Sequence, residues 1–335
     1  MRKFVVILLL LPLHYCAPQS LQNAGSTGLQ FLKIGAGARA QGMGGAFASI
    51  AGDISSLAVN PAGIGSLSKL GLSVQHTGWV AATELNFIGL VVPISDEVNL
   101  ALQTTSLTTG SIEMTTIDQP DGTGERYDAT DIAVGLTGSV RLTPQLTFAT
   151  TIKYIQERIY DISSDGLALD AGMWYATGFK SLDLGFVISN LGFDQQFSGD
   201  ALRVKYDPVD PSEPSSKAEL QTAQFALPLS FRASGSFDVL EMFDNKIDGH
   251  RVTTALDFEQ SADTPERVHL GMEYGWREMV FVRGGYIFNA DELSWSGGIG
   301  ALVELPGAVV QFDAAASSLG RFGVCYRFGI AITVN

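Results

Sequence analysis

The residue types that build metal and thiol sites are scarce in this chain. It holds 4 histidines and 2 cysteines among 335 residues, little material for either kind of centre. Basic residues are also few. With 21 Lys and Arg against 35 Asp and Glu, the net charge is −14. Such a chain lacks the basic face that phosphate binding requires, so nucleic acid is excluded as a partner. Charged residues make up 17% and apolar ones 46%, too little charge and too much apolar content for a disordered polymer. Beyond the first residues, long hydrophobic runs are missing too. Residues 87–94 (FIGLVVPI) are strand-sized, well short of the ~20 residues of a membrane helix. No Ser-His-Asp, H-E-x-x-H or paired-cysteine spacing occurs, so the sequence indicates neither an enzyme nor a cofactor.

What is present begins with an address. Met1, Arg2 and Lys3 precede an apolar run over 4–13, and a polar stretch follows. Residues 1–20 therefore read as a secretory signal peptide. Its cleavage point is open, because His14, Tyr15, Cys16 and Ala17 form a poor small-x-small site. Cys16 raises a lipoprotein reading, against which the bulky Tyr15 stands. If Cys16 leaves with the signal, Cys325 is alone and no internal disulfide is available.

From about residue 71 to the end, apolar and polar residues alternate. Leu146, Phe148, Ile152 and Tyr154 share one parity, and Thr147, Ala149, Thr151 and Lys153 the other. Leu184, Phe186 and Ile188 oppose Asp183 and Gly185, and Leu227, Leu229 and Phe231 oppose Ser230 and Arg232. Val324, Tyr326, Phe328 and Ile330 oppose Cys325, Arg327 and Gly329. A period of two means strands with one apolar and one polar face. Strands are expected to begin near 71, 84, 97, 126, 145, 166, 181, 227, 250, 267, 279, 293, 308 and 321. That is 14, an even number, as bacterial outer-membrane barrels require.

A secreted β-sandwich also alternates. Two features disfavour it. One parity stays apolar to the last strand, and the other is rich in Gly, Ser and Thr with few charges, as in a lumen rather than a solvated face. The expected fold is thus all-β, a 14-stranded antiparallel transmembrane β-barrel over 70–335 in the bacterial outer membrane, with lipid as its first partner. With the first strand rising from the periplasm, the two longest connections, 108–125 and 192–226, fall outside. Segment 238–249 breaks the alternation and reads as a short periplasmic helix. Trp79, Tyr154, Trp174, Tyr175, Tyr274, Trp276 and Trp295 are candidates for interfacial girdles.

Residues 26–69 read differently. Gly and Ala dominate, with a helix-like piece over 46–59 and a turn at Asn60, Pro61, Ala62 and Gly63. A compact, small-residue segment suits the inside of a barrel, so 26–69 reads as an N-terminal hatch; the alternative is an extension on the periplasmic rim. Gly42, Gly44 and Gly45 interrupt any helix there. Gly35, Gly37 and Ala40 fit a dinucleotide fingerprint, but no α/β alternation follows, and the match is rejected. The lumen parity collects Lys153, Arg232, Arg283 and Arg327 with Asp170, Asp183, Asp257, Glu259, Glu273 and Asp313, joined by His269. These charges read as ion pairs fastening the hatch to the wall, with a polar conduit as the competing reading. His76 reads as a structural hydrogen-bonder beside the hatch. Asp161 to Gly166 resembles the start of a calcium loop, but Gly172 stands where its closing Glu is needed.

The segments FLKIG (31–35), GARAQGMGGAF (37–47) and Asn60-Pro61-Ala62-Gly63 resemble the N-terminal signature of the PorV/PorQ family. His76-Thr77-Gly78-Trp79 and the strand that follows resemble it too, and weaker likeness continues to LGRFGVCYRFGI (319–330). The family is similar in fold to the long-chain fatty-acid transporter FadL. The resemblance implies an outer-membrane component of the type IX secretion system. Its partners would be the C-terminal domains of secreted cargo or other components of that system. The chain ends Ile332-Thr333-Val334-Asn335 rather than in an aromatic residue, and Phe328 is the candidate for that terminal part. A FadL-like transporter of hydrophobic compounds is the competing function.

Overall fold

A computed structural model describes residues 25–206 and 216–334. The signal segment, Pro208, Pro211, Pro214 and Asn335 lie outside the described residues.

Fourteen long strands form the wall: β1 (Gly71–Gly78), β2 (Glu84–Pro93), β3 (Val98–Thr108), β4 (Ala129–Thr143), β5 (Leu146–Ile159), β6 (Ile162–Ala176), β7 (Asp183–Gly192), β8 (Ser230–Asp238), β9 (His250–Ser261), β10 (Thr264–Trp276), β11 (Val280–Phe288), β12 (Trp295–Leu305), β13 (Ala308–Ser318) and β14 (Val324–Val334). Each pairs antiparallel with its neighbours in sequence, and β1 pairs with β14 from Gly71 opposite Thr333 to Gly78 opposite Tyr326. The sheet is closed and has no free edge, which is what a strand structure in lipid requires. A two-residue strand, Ser198–Gly199, adds to the outer end of β6.

The alternation of the sequence sets which face is which. Leu136, Ile152, Ile299 and Phe328 are all more than half exposed on the outside, while Thr137, Thr151, Ser139 and Asp257 are sealed on the inside. An exposed Leu, Ile and Phe exterior around a polar interior is stable only against acyl chains. β2 departs from simple alternation because both its faces are covered. Ile88, Leu90 and Val92 point out, and Leu85, Phe87 and Val91 are buried within. This explains the unbroken apolar run at 87–92.

Strand lengths differ around the wall. At a tilt near 40°, the 8 residues of β1 rise about 20 Å, and the 15 of β4 about 38 Å. The hydrocarbon-facing band is ~25 Å tall, so β4 to β6 stand out of the membrane while β1 falls about 5 Å short of the band's height. Several starts differ from the expected ones. β6 begins at Ile162 and β10 at Thr264, because tight hairpins at 160–161 and 262–263 leave no loop. β8 begins at Ser230, since Leu227 turns inward and is buried. The expected periplasmic helix is Val239–Met242, capped by the Asp238 carboxylate, which accepts from Glu241 N at 2.8 Å.

Trp174 leaves the expected girdle. Its parity points inward, and its indole Nε1 donates to Ser49 O at 2.9 Å. Tyr154, Tyr274, Trp276 and Trp295 are exposed on the outside. His76 also faces out rather than toward the lumen, and its Nδ1 lies 2.9 Å from Asn86 Oδ1.

Candidate functional site

The segment before β1 makes its contacts with inward-facing residues of the wall. It holds one turn of α-helix, Ala38–Gly42, and 3-10 turns at Gln30–Lys33, Ile54–Ala58 and Pro61–Ser66. The helix expected over 46–59 is absent apart from Ile54–Ala58, because the wall uses that backbone. Phe47 N and Ala48 N both donate to Asp257 Oδ2, at 3.1 and 3.0 Å, and Ala48 O accepts from Asn60 Nδ2 at 2.6 Å. The Ala48 and Ser49 carbonyls, taken by Asn60 and Trp174, are withdrawn from an i→i−4 ladder.

The glycine-rich motif lies directly on wall backbone. Gly42 ends the helix and its Cα approaches Gly298. Gly44 sits at φ +67, and a Cβ on it would stand 2.9 Å from Tyr286 N. Reciprocally, a Cβ on Gly285 would stand 2.1 Å from Gly44 N. Only glycine on both sides allows this approach. The Gly45 carbonyl accepts from Arg232 Nη1 at 3.2 Å. Asn60 caps the turn Pro61–Ser66, its Oδ1 accepting from Ala62 N at 3.0 Å, and its Nδ2 also reaches Met173 O of β6. Gly63 packs so tightly on Ser56 that a Cβ would come within 2.6 Å of its hydroxyl.

Among the described residues two ion pairs join segment and wall, Arg39 with Glu273 and Lys33 with Asp263, and other wall charges pair with one another across strands. Glu273 of β10 accepts two bonds from Arg39, at 2.8 and 2.7 Å, one from Arg283 Nε at 2.6 Å and one from Arg251 at 3.0 Å. Arg39 also donates to Asp53 at 2.6 Å, and Arg283 to Asp313 at 2.6 Å. Burial by itself would raise the Asp53 carboxyl, but Arg39 and the Ser55 hydroxyl hold it below the usual carboxylate range. Arg232 pairs with Glu259 at 2.9 Å, and His269 bridges Glu259 and Gly44 O at 2.8 and 2.7 Å. Lys153 reaches Asp170 at 2.8 Å, beside a bulge where Asn190 sits at φ 63. Arg327 is 1% exposed, and among the described residues no carboxylate lies within salt-bridge distance of it. It donates to Gly35 O at 3.1 Å and Ser317 Oγ at 2.9 Å, under the Trp79 ring.

Of the wall charges expected in the lumen, Arg327 and Asp183 take part in no ion pair among the described residues; Arg327 is held by hydrogen bonds, and Asp183 is half-buried at the periplasmic start of β7. Arg251 shares the parity of Asp257 and was legible as a member. Arg39 and Asp53 lie where no periodicity exists, so nothing local marked them.

At the external mouth Asp263, in the β9–β10 turn, accepts from Thr27 Oγ1 at 2.5 Å, Gln30 at 2.9 Å and Lys33 at 2.9 Å. Burial pushes its carboxyl up, but these three donors together bring it down to about 2. Phe225 and Ala226 of the long β7–β8 connection close over the same place, with Gly28 N donating to Ala226 O at 3.1 Å. Two cavities beside the segment measure about 90 and 60 Å³ and share Lys153, Asp170, Leu57 and Ala58, and a wider space of about 530 Å³ opens beside Ser66, Leu67 and Ser68 at the segment's end. Ligand pockets are usually ~300–1,000 Å³. Among the described residues, no group of three or more His, Cys, Asp or Glu is placed to hold a metal. The calcium-like run 161–166 forms a hairpin turn and the start of β6, with no loop to wrap an ion.

A closed antiparallel barrel with an apolar belt and a charged interior defines the class: a bacterial outer-membrane β-barrel, located where that belt meets lipid. Residues 17–99 match the model of an uncharacterised protein family (UPF0164). No curated protein matches the chain. Among solved structures it is similar to the CymD monoaromatic hydrocarbon channel, at 13% identity and a TM-score of 0.56, over 90% of this chain and 98% of that one. The Ralstonia pickettii toluene transporter TbuX matches at 10% identity and TM-score 0.54, over 89% and 97% of the two chains. The P. putida toluene transporter TodX matches at 9% and 0.55, over 89% and 96%. At such identities the likeness is one of fold.

Proposed function

We propose that this barrel is a PorV/PorQ-like component of the type IX secretion system, in which residues 26–69 act as a fixed hatch and the external loops hold a secreted partner. The observation that carries this reading is the lumen. Glu273, Asp257 and Arg327 pin the segment from three strands, and the two cavities that reach Lys153 and Asp170, of about 90 and 60 Å³, are small beside an ordinary ligand pocket. A barrel filled in this way offers its external face for work, and there the β7–β8 connection is the longest. The experiment is affinity capture of the tagged, full-length protein from native membranes. Co-purified secreted proteins or secretion components support the reading, and a barrel recovered alone from secreting cells sinks it.

A FadL-like transporter of hydrophobic compounds is the second reading. The fold it shares with hydrocarbon channels favours it, as does the apolar contact of Ile54, Leu57 and Ile64 with Leu85, Phe87 and Val91. Uptake of a radiolabelled long-chain fatty acid or of toluene by cells expressing the protein, above that of cells lacking it, would establish this reading in place of the first.

A further inference from the structure

The external β7–β8 connection builds a groove. Arg203–Tyr206 and Ser216–Glu219 pair as a two-stranded hairpin, and Glu219, Leu220 and Gln221 face Gln196, Phe197 and Ser198 across a space of about 440 Å³. This falls within the ~300–1,000 Å³ of ligand sites. The walls are tied together: Thr222 Oγ1 donates to Phe197 O at 2.9 Å, and the Phe197 ring packs on Phe225 with centroids 5.5 Å apart. Leu220 is 56% exposed, and Phe197 is half-buried. Two apolar side chains thus lie among two amides, a hydroxyl and a carboxylate. An extended peptide, with backbone polar groups and alternating side chains, matches that mixture.

Charge selects the peptide. The connections 109–128 and 193–229 hold 11 Asp and Glu against 4 Lys and Arg, half of the chain's net charge of −14. Arg203, opposite Glu219 in the hairpin, is held by Asp200 at 2.6 Å, so the Glu219 carboxylate remains for a ligand. We infer that the groove between Gln196–Ser198 and Glu219–Gln221 takes an extended, basic segment of a partner protein, with a Lys or Arg set against Glu219. The inference deepens the secreted-partner reading and rests on it for the identity of the partner. The physical claim about the groove is tested separately.

The test uses the purified full-length protein in detergent micelles and a fluorescent, acetylated hexapeptide of alternating Lys and Val. Binding is followed by anisotropy, with a Glu-for-Lys peptide as comparison. The Lys peptide should bind, weaken with salt, and lose roughly threefold or more in affinity in the Glu219→Lys variant, in line with the reversal of one exposed pair. Leu220→Gln should weaken it as well. Asp121→Lys, on the other external connection, should leave it within about twofold. Equal loss in Asp121→Lys and Glu219→Lys would mean diffuse attraction and overturn the groove, as would equal binding of the two peptides or no binding. Peptide binding with no secreted partner in the membrane capture would leave the groove standing and overturn the carrier role. The converse pair of results would do the opposite.

Discussion

At the residue scale, Glu273 shows how much one carboxylate holds. Three arginines, from the N-terminal segment, β9 and β11, converge on it, and it is wholly buried. In Glu273→Gln each arginine keeps a second carboxylate, Asp53, Asp313 or Glu278, but buried charged donors lose an acceptor, so a loss of ~1–3 kcal/mol is expected. Heat-modifiability of the folded barrel on gels should drop accordingly. Gly285 and Gly284 make a sharper pair. A side chain on Gly285 meets Gly44 backbone at 2.1 Å, while one on Gly284 meets nothing within 4 Å. Gly285→Val should expel residues 42–47 and open them to protease in an otherwise folded barrel, and Gly284→Val should not. Asp263 adds a pH dependence. Its folded-state pKa, about 2, lies below the ~3.9 of a free Asp. The stability it contributes is therefore fully present above pH ~4 and is lost as pH falls through about 2. Pepsin should cut near Leu29 and Leu32 at pH 2 and spare them at pH 4. The Asp263→Asn variant should be cut alike at both.

Elements show where local pattern decides and where neighbours do. The strands follow from alternation, since a tilted strand between lipid and lumen has no other way to satisfy both faces. Leu136, in the middle of β4, is 59% exposed to the belt. Leu136→Arg should cost ~2–4 kcal/mol in refolding titrations into lipid vesicles, whereas Ile117→Arg, in the fully exposed external connection, should stay within ~0.5 kcal/mol. Equal costs would contradict the membrane placement of β4. The segment over 46–53 behaves otherwise. Its composition permits a helix, yet Asp257, Asn60 and Trp174 take its backbone groups. No reading of those eight positions by themselves finds these partners, because Asp257 lies some 210 residues away in sequence.

For the whole molecule, the fixed hatch proposed above implies a sealed barrel. Planar-bilayer recordings of the reconstituted protein should show no steady conductance. Deleting residues 26–69 should open a stable pore if the wall assembles without them. A steady current through the intact protein would rule out the fixed hatch.

The sequence by itself determined the period of two, the 14 strands, the outward belt and the inward parity of Lys153, Asp170, Asp257, Glu273, Arg283 and Arg327. These are local facts, because each residue's side follows from its neighbours'. Only the tertiary structure decided which charges pair. It also fixed Arg39 and Asp53 within the same network, set the Trp174 indole on Ser49 O, and laid Gly44 on Gly285. Those outcomes depend on distances between segments far apart along the chain, and they are set when the sheet closes around the glycine-rich segment.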